Sequence, residues 1–401
     1  MRILRVIASM NPVSGGPCEG IRNSIPAMER QGIVTEVACL NDPDALYVRH
    51  APFRIYAFGP AKGPYAYCSK FAGWLDSNIM NYDAIIVHGL WLYNSYGTFR
   101  IWKSRKLKDQ FVPRLFVMPH GMLDPYFQKS KKRRFKALRN WLFWNLIERK
   151  VLNGADGVLF TCQQELLLAR ETFSSYFPKA EFNVGYGIMM PPAVTNSFRE
   201  EFLKVCPQVK GQSYWLYLSR IHPKKGLENL IEAYVKLKGE NKNIPHLVIA
   251  GPGLESSFGK KIVQMAMGYP IHFPGMLTGP AKWGAFYCCD AFMLPSHQEN
   301  FGIAVVEALA CGKPVLISNK VNICKEVENG KAGMIANDSF AETFSLLKKY
   351  YQLQPEEQLS LGKNARSLFL KKYQIDRAAN EMLQVLQQDQ RIKKVSALSL
   401  S

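Results

Sequence analysis

The feature that most constrains the fold is a regular alternation of short apolar runs with stretches of helical spacing. The runs lack a strict alternation of polar and apolar residues, which is typical of strands buried on both faces of a parallel sheet. Ten predicted strands share this composition: Ile3–Ala8, Val34–Leu40, Ala84–His88, Leu115–Met118, Gly157–Thr161, Tyr214–Ser219, Leu247–Ala250, Ile271–Phe273, Ala291–Leu294 and Val315–Ser318. Helical spacing occurs between them, for example at Leu227–Leu237 and Ile303–Ala310. This βαβα rhythm predicts an α/β protein with parallel sheets and crossover helices.

The length of 401 residues predicts two domains. The rhythm breaks at Met189–Pro192, in "MMPPAV", and a polar segment then runs to Gly211. We place the interdomain linker there, which gives a first domain at 1–192 and a second at 211–372. The polar tail from Gln374 onward has helical spacing, and we predict a helix at 375–395.

The composition restricts the class of protein. No run of about eighteen apolar residues occurs, so we expect no spanning helix and a cytoplasmic location, with peripheral attachment to the inner face of the plasma membrane left open. Nine scattered cysteines without CxxC spacing predict free thiols, not disulfides or a zinc site. The net charge of +19 favours an anionic partner, namely nucleic acid, a membrane surface or a phosphorylated small molecule.

Glycines and polar residues follow the predicted strands. They are Gly15–Gly16, His88–Gly89, His120–Gly121, Arg220, Gly251 and Glu299. Ligands of open α/β sheets bind outside the carboxyl ends of the strands. Two such sheets facing each other across a cleft would bring these groups together.

Glu299 and Glu307 belong to one turn-and-helix segment, "ENFGIAVVEALACG". The amides of Phe301, Gly302 and Ile303 are predicted at a helix N-terminus, where unpaired N–H groups and the helix dipole favour oxygen-rich or anionic ligands. One carboxylate can accept two adjacent ribose hydroxyls, and the other can bind hydroxyls of a sugar ring. The alternative is a pair of solvated carboxylates, but the apolar neighbours of Glu307 argue against it.

The segment "SRIHPKKGL" follows a predicted strand and leads into a helix at Gly226. Arg220 and Lys225 together have the charge to neutralise a diphosphate. A solvated basic turn is the alternative, and this segment alone does not decide between the two. The glutamate pair that follows about eighty residues later favours the diphosphate site.

Together, "SRIHPKKGL", "LVIAGPG" and "ENFGIAVVEALACGKPV" resemble the family-4 retaining glycosyltransferases, which have the GT-B fold of two Rossmann-like domains. The resemblance covers most of Tyr214–Leu316, and it extends more loosely to Gly15–Gly16 and "PHGMLDPY" in the first half. It implies that the C-terminal helix returns to the N-terminal domain. One position departs from the family, because Ser219 stands where glycine is commoner. The segment "PHGMLDPY" is more similar to polysaccharide-assembly members of the family than to its sucrose or starch enzymes.

The resemblance also implies roles for individual residues. Glu307 would bind the donor ribose, Glu299 with the Phe301 and Gly302 amides would hold the donor sugar, and Arg220 with Lys225 would bind the diphosphate. The implied donor-binding set is Gly16, Arg220, Lys225, Gly251, Glu299, Asn300, Phe301, Gly302 and Glu307. The implied catalytic set is His120, Glu299, Arg220 and Lys225.

The acceptor side has fewer candidates. His88, Trp91 and Asp124 follow first-domain strands and are predicted to line it. A lone histidine after a strand is more often structural, so for His120 the functional role depends on the resemblance. Asp42-Pro43-Asp44 resembles the metal-binding Asp-x-Asp of the other glycosyltransferase fold, but proline-flanked aspartates usually form turns. We therefore expect no cofactor, no metal and activity without added metal.

Residues 128–150 form a basic segment with nine basic residues, one acidic residue and the aromatic residues Trp141, Phe143 and Trp144. Such a helix can lie on an anionic bilayer, or it can bind a lipid-diphosphate acceptor. Alternatively, Trp141, Leu142, Trp144, Leu146 and Ile147 pack in the core while the cations face water. The sequence leaves these possibilities open.

Three other classes of function compete with a transferase. A nucleic-acid-binding protein would fit the charge, but no recognised nucleic-acid motif occurs, and we expect no such partner. A dinucleotide-dependent oxidoreductase lacks a GxGxxG sequence in the first turn of either half. A nucleotide-sugar epimerase of the GT-B fold stays open. The expected function is sugar transfer from a nucleotide-sugar donor to a glycan or lipid-diphosphate-linked acceptor.

Overall fold

The computed structural model describes residues 1–12, 15–129 and 134–398, with side chains described as far as residue 387. The chain divides into two compact units. The first contains Met1–Gly187 and Ile375–Ser401, and the second contains Ile188–Gln374.

The first unit is built on a seven-stranded sheet in which every pair of neighbouring strands is parallel. Its strands are β1 Arg2–Ile7, β2 Val34–Cys39, β3 Ile55–Ala57, β4 Ala84–His88, β5 Arg114–Met118, β6 Gly157–Phe160 and β7 Glu181–Asn183. Their order in the sheet is β3-β2-β1-β4-β5-β6-β7. The sequence order therefore reverses between β1 and β4, which is the arrangement that places a ligand crevice at the carboxyl edge.

Helices cover both faces of this sheet. In chain order they are α1 Gly16–Glu29, α2 Leu46–Arg49, α3 Ser69–Asn78, α4 Tyr93–Lys106, α5 Tyr126–Lys129, α6 Arg134–Phe143, α7 Arg149–Gly154 and α8 Gln163–Arg170. A π-helical turn, Trp144–Glu148, joins α6 to α7. One core lies around Leu4, Ile85 and Leu115, and a second lies around Ile3, Ile86 and Phe116 on the opposite face.

The second unit has a six-stranded parallel sheet with the order β10-β9-β8-β11-β12-β13. Its strands are β8 Tyr214–Leu218, β9 His246–Ala250, β10 Ile271–Gly275, β11 Ala291–Leu294, β12 Val315–Ser318 and β13 Gly333–Ala336. Its helices are α9 Asn196–Val205, α10 Leu227–Glu240, α11 Ser257–Ala266, α12 Gly279–Cys288, α13 Ile303–Ala310, α14 Cys324–Asn329, α15 Phe340–Gln352 and α16 Pro355–Leu368.

All ten predicted strands are confirmed within about one or two residues at each end. Three further strands, β3, β7 and β13, escaped prediction because each has only three or four residues and none of their residues is fully buried. Strands at the edges of a sheet need less apolar sequence, so they leave a weaker signal. The two parallel Rossmann-like sheets confirm the predicted α/β class.

The segment that we assigned to the interdomain linker contains a helix. Residues 196–205 form α9, which packs on α12 within the second unit. The two helices approach so closely that a Cβ on Gly284 would lie 2.0 Å from the carbonyl oxygen of Phe198. This helix escaped prediction because six of its ten residues are polar or charged, which resembles linker composition.

The last helix, α17 Ile375–Leu398, packs against the first unit. Ile375, Ala379, Met382 and Leu386 recur at helical spacing, and they join the core that covers Phe116. Apolar residues at this spacing hold the C-terminal helix on one face of the first sheet.

All nine cysteines are free thiols. Within the ranges given above, no helix has the length and apolar character to cross a membrane.

Candidate functional site

Glu299 lies in the loop after β11, and its backbone is fixed to the neighbouring loop after β12. Its amide donates to the carbonyl of Lys320 at 2.9 Å, and its carbonyl accepts from the amide of Asn322 at 3.0 Å. The carboxylate contacts the ammonium of Lys225, which comes from the loop after β8. Two predicted site residues that are 74 positions apart therefore form an ion pair at the carboxyl edge of the second sheet.

The loop from Glu299 enters α13 through Gly302, the N-cap residue, whose φ of 78° favours glycine. Its carbonyl accepts the amides of Val305 and Val306, which begins the helical ladder. Phe301 is 5% exposed and packs edge-to-face on Tyr373, with ring centroids 5.7 Å apart. The Phe301 side chain is thus part of the core, and only its main chain is available to a ligand. The predicted helix start after Gly302 is confirmed.

Glu307 lies in the second turn of α13 and forms an ion pair with Lys282 from the first turn of α12, at 2.8 Å. Both side chains are largely buried, with exposed fractions of 13% for Glu307 and 25% for Lys282. We did not predict Lys282, because nothing in "GPAKWG" marks its lysine as a partner of a glutamate 25 residues away.

The loop after β8 holds Lys225 in a buried position. His222 Nδ1 accepts from the amide of Lys224 at 3.1 Å, and Gly226 has φ 69°. A Cβ on Gly226 would lie 1.9 Å from the carbonyl oxygen of Pro295, so only glycine permits this approach. Lys225 is 6% exposed. Burial, together with Lys224 and Arg220, lowers the pKa of Lys225 to about 7.

The turn at Gly251 lies directly against the loop that carries Arg220. A Cβ on Gly251 would lie 1.9 Å from the carbonyl oxygen of Ser219, and the amide of Ile221 donates to the carbonyl of Pro252 at 2.9 Å. Across the sheet edge, Asn322 Nδ2 donates to Asn300 Oδ1 at 3.3 Å. The loops after β8, β9, β11 and β12 therefore form one connected surface.

This second-unit site combines two carboxylates with Arg220, Lys225 and Lys282 beside a helix N-terminus. Such an arrangement can bind a diol through carboxylate oxygens and a diphosphate through cations and main-chain amides. Among the residues that the structure describes, no group of three histidine, cysteine or acidic side chains is arranged to hold a metal ion.

In the first unit, His120 follows β5 in a left-handed conformation, with φ 53°. Its Nε2 lies 2.9 Å from Nδ1 of His88, and the two rings stack with centroids 5.1 Å apart. His88 is 3% exposed, whereas His120 is half-buried. Burial, with the nearby positive charge of Arg5, lowers the pKa of His120 to about 3, so its imidazole is neutral at physiological pH.

Glu165 fixes the turn after His120, a role that we did not predict. Its carboxylate, 3% exposed, accepts from the Gly121 amide at 2.5 Å and from the Thr161 amide at 2.8 Å. The Thr161 hydroxyl donates to the same carboxylate at 2.5 Å. "QQELLL" looks like an ordinary helix start, so the sequence gives no signal for this long-range contact.

Two of the predicted acceptor-side residues make hydrogen bonds in which a carboxylate accepts from a main-chain amide. Trp91 has φ 72°, and its amide donates to Glu148 at 2.8 Å. Ser95 donates to the other oxygen of Glu148 at 2.7 Å, and burial raises the pKa of Glu148 to about 7. Asp124 accepts from the amide of Tyr126 at 2.8 Å and so begins α5. Their contact with an acceptor stays a prediction.

Gly16 is the first residue of α1 and is exposed. Its carbonyl accepts from the hydroxyl of Tyr186 at 2.8 Å. The preceding Gly15 has φ 87°, a conformation that favours glycine and that turns the chain from β1 into the helix. The predicted glycine turn thus lies at the N-terminus of α1.

The basic segment exposes apolar side chains in its described part; its residues 130–133 lie outside the described ranges. Exposed apolar residues share one helical stretch: Phe135 at 92%, Leu138 at 57%, Trp141 at 53%, Leu142 at 45% and Leu146 at 65%. Among the apolar side chains described in this segment, only Trp144 is fully buried, and it stacks on Phe173. The core-packing alternative is therefore wrong for Trp141, Leu142 and Leu146.

Two family models match the chain. Residues 198–368 match the model described as glycosyl transferases group 1, and residues 15–181 match a glycosyl transferase 4-like domain. The chain is also 26% identical over 222 residues, 51% of its length, to lipopolysaccharide 1,2-N-acetylglucosaminetransferase of Salmonella typhimurium. It is 28% identical over 141 residues, 34% of its length, to O-antigen chain mannosyltransferase B of Escherichia coli. These matches span 58% and 36% of the two relatives.

Solved structures share the fold over nearly the whole chain. HepE of Anabaena, solved in complex with UDP and glucose, superposes with a TM-score of 0.72 at 17% identity and covers 97% of this chain and 100% of its own. A glycosyltransferase of Rickettsia africae gives 0.72 at 14% identity, with 96% and 98% covered. The fold and the family matches agree. The chain has two parallel Rossmann-like sheets, and the two family models match residues 15–181 and 198–368. The chain belongs to the group 1 glycosyltransferases and has the GT-B fold.

Proposed function

We propose that the protein is a retaining glycosyltransferase that transfers a sugar from a nucleoside-diphosphate sugar to a glycan or lipid-linked glycan acceptor. The observation that carries the proposal is the pair of carboxylates, Glu299 and Glu307, at the edge of the second sheet, each beside a lysine. The lipopolysaccharide and O-antigen transferases among the relatives favour surface polysaccharide or glycoconjugate synthesis as its setting.

The donor would bind along the connected loops of the second unit. Glu307 would accept the ribose hydroxyls after exchanging its contact with Lys282. Glu299 and the main chain around Gly302 would hold the sugar. Arg220 and Lys225 would neutralise the diphosphate, which becomes the leaving group. HepE, solved with UDP-glucose, supports a nucleotide sugar as the donor.

In the proposed reaction, the bond between the sugar and the diphosphate breaks through an oxocarbenium-like state. The acceptor hydroxyl attacks from the face that the diphosphate leaves, and the departing diphosphate takes its proton, so the configuration is retained. His120, neutral because its pKa is low, would donate or accept a hydrogen bond at the sugar without repelling cationic neighbours. Positive charge from Arg220 and Lys225 would stabilise the leaving group in place of a metal ion.

The test begins with a thermal-shift panel of UDP, GDP, ADP and dTDP sugars, in which one donor should raise the melting temperature. With that donor and a glycan acceptor, NMR should then show a product whose anomeric configuration equals that of the donor. An inverted product would contradict retention. Conversion of the nucleotide sugar without any acceptor would instead indicate an epimerase.

Metal independence has its own test. We expect the transfer rate to be unchanged in excess EDTA, because cationic side chains stabilise the leaving diphosphate. Loss of activity in EDTA with recovery on adding Mg²⁺ would contradict this part of the proposal.

We also propose that the exposed face of residues 134–150 lies on an anionic bilayer at the inner surface of the plasma membrane. Apolar side chains there are accompanied by Arg134, Lys136, Arg139, Arg149 and Lys150. An exposed apolar stripe flanked by cations is the pattern of an interfacial helix. A lipid-linked acceptor would then reach the enzyme from the same surface.

Sedimentation with phosphatidylglycerol vesicles tests this surface. We expect salt-sensitive binding that Leu142→Glu weakens at least about tenfold, since each buried apolar side chain contributes about 1.5–3 kcal/mol. Leu46→Glu is the control, because Leu46 is also exposed, at 69% against 45% for Leu142, but lies on α2. Equal binding of both variants, or no binding of the wild type, would contradict the proposal.

A further inference from the structure

A small cavity lies within the first unit, between the sheet and helices α1 and α17. Its floor contains Arg5 from the middle of β1, His88 from the end of β4 and Met382 from α17. Half-buried residues, Pro17, His120 and Tyr186 among them, also line it. Two of these residues were predicted to bind the sugar or the acceptor, but Arg5 has no role in the proposed transfer.

Arg5 is a buried cation that pairs with no carboxylate among the described residues. It is 2% exposed, and its one hydrogen-bond contact there is Nη2 with the sulfur of Met382 at 3.6 Å. Its buried Nε has no hydrogen-bond partner in the described part of the chain. Buried guanidinium groups are normally paired with a carboxylate, because a charge in a low-dielectric interior is costly without one. Burial also lowers the pKa of Arg5 to about 10, in keeping with the lack of a paired acid.

His88 adds a second polar atom with no partner in the same cavity. Its Nε2 is buried and makes no hydrogen bond, whereas its Nδ1 lies 2.9 Å from His120 Nε2. If His120 Nε2 donates that hydrogen bond, His88 must carry its proton on Nε2. Two N–H donors, Arg5 Nε and His88 Nε2, then line one cavity.

We propose that this cavity is a binding site for a carboxylate group, held by Arg5 and His88. A carboxylate has two oxygens for two donors, and it supplies the negative charge that Arg5 lacks. Water would satisfy the donors but would leave the charge uncompensated.

The size of the cavity favours a small ligand group. The free volume at its core is about 20 Å³, which is room for about one or two water molecules. The two oxygens of a carboxylate can replace two waters there. Acetate and formate, the smallest carboxylates, are therefore the direct probes, and an acidic sugar that binds beside His120 is a second source of the same group.

The first experiment is thermal denaturation at constant ionic strength, with acetate or formate replacing chloride. The melting temperature of the wild-type protein should rise by about 3–6 °C when acetate reaches about ten times its Kd, and further with the logarithm of the acetate concentration. Arg5→Met removes the charge while it keeps an apolar chain of similar size, and it should abolish the shift. Arg54→Met is the control, because Arg54 is exposed and lies over Tyr56 away from the cavity; its acetate response should equal that of the wild type.

The second experiment uses unmodified protein, so it does not depend on the folding of a variant. Acetate should move the ¹⁵N signals of two of the seven histidines and fix one tautomer of His88. D-glucuronate is the comparison arm. If D-glucuronate binds and competes with acetate, the natural source of the bound carboxylate is an acidic sugar. If only acetate and formate bind, the natural ligand is a small free carboxylate.

Three results would overturn the proposal. One is equal responses to acetate in wild-type and Arg5→Met protein. Another is a wild-type melting temperature that is no higher in acetate than in chloride at the same ionic strength. The third is histidine signals that do not move at saturating acetate, which would mean that only water occupies the cavity.

Discussion

The two units have the same kind of parallel sheet, yet they hold their polar groups in different ways. At the edge of the second sheet, both predicted site carboxylates contact lysines, through the pairs Lys225–Glu299 and Lys282–Glu307. In the first unit, the cation Arg5 is buried without a carboxylate partner within the described residues, and His88 and His120 pair with each other. The edge of the second sheet therefore holds paired charges, whereas the first unit holds one buried cation, Arg5, beside two histidines that burial keeps neutral.

The supporting contacts differ as well. In the second unit, four residues form the two ion pairs. Three of them, Lys225, Glu299 and Glu307, lie in contiguous sequence motifs that follow strands. In the first unit, Glu148 and Glu165 hold the turns at Trp91 and Gly121 from helices 57 and 44 residues away. This contrast indicates that local motifs encode the loop edge of the second sheet, whereas long-range buried contacts encode the turns of the first.

The largest effect is expected from Lys225→Ala, which should lower kcat by about 10²–10³-fold, because removing one donor to a developing charge costs about that much. Arg220→Ala should act in the same direction. Lys224→Ala is the matched control, because the Lys224 ammonium points to Gln298, at 2.7 Å, and its loss should leave kcat within about threefold. Steady-state kinetics with saturating donor measure this, and similar losses in Lys224→Ala and Lys225→Ala would contradict the assignment.

In the first unit, Glu165→Ala should lower the free energy of unfolding by about 2–5 kcal/mol. It leaves the buried amides of Gly121 and Thr161 and the hydroxyl of Thr161 without their acceptor. Urea unfolding measures the loss, and the exposed Glu171→Ala should change stability by less than about 0.5 kcal/mol. If Glu165→Ala lowers the free energy of unfolding no more than Glu171→Ala does, the buried contacts of Glu165 do not hold the turns of the first unit, and the contrast between the two units is wrong.

The pH dependence of sugar transfer should reflect the protonation of Lys225 in the second unit. The lowered pKa of Lys225, about 7, means that this lysine is charged below that pH and neutral above it. The donor kcat/KM should therefore fall as pH rises above 7, approaching tenfold per pH unit. Lys225→Arg keeps its charge and should flatten this alkaline limb. If kcat/KM falls with pH in the same way in the wild type and in Lys225→Arg, a group other than Lys225 controls the pH dependence.

The smallest effect is expected from Lys282→Ala. The ion pair with Glu307 is partly exposed, so its loss should change stability by less than about 1 kcal/mol. Glu307 then meets the donor ribose without first releasing a lysine, and the donor KM should change by less than about threefold. A rise in KM of tenfold or more would mean that Lys282 itself contacts the donor.

Much of the fold was predictable because strands buried on both faces appear as short, continuous apolar runs. The edge strands β3, β7 and β13 were missed because they are short and only partly buried, and α9 was missed because most of its residues are polar or charged. Contiguous motifs identified Glu299, Glu307 and Lys225. Lys282, Glu165 and Arg5 were not found, because their importance depends on what lies beside them in space.

The most direct test of the central claim is calorimetric binding of the nucleoside diphosphate that the thermal-shift panel selects. Glu307→Ala should raise its Kd about 10- to 100-fold, since a ribose diol loses hydrogen bonds to a charged acceptor. Glu328→Ala, at an exposed carboxylate on α14, should leave the Kd unchanged. An unaltered Kd in Glu307→Ala, with the variant folded as the wild type, would contradict the assignment of the second unit as the donor site.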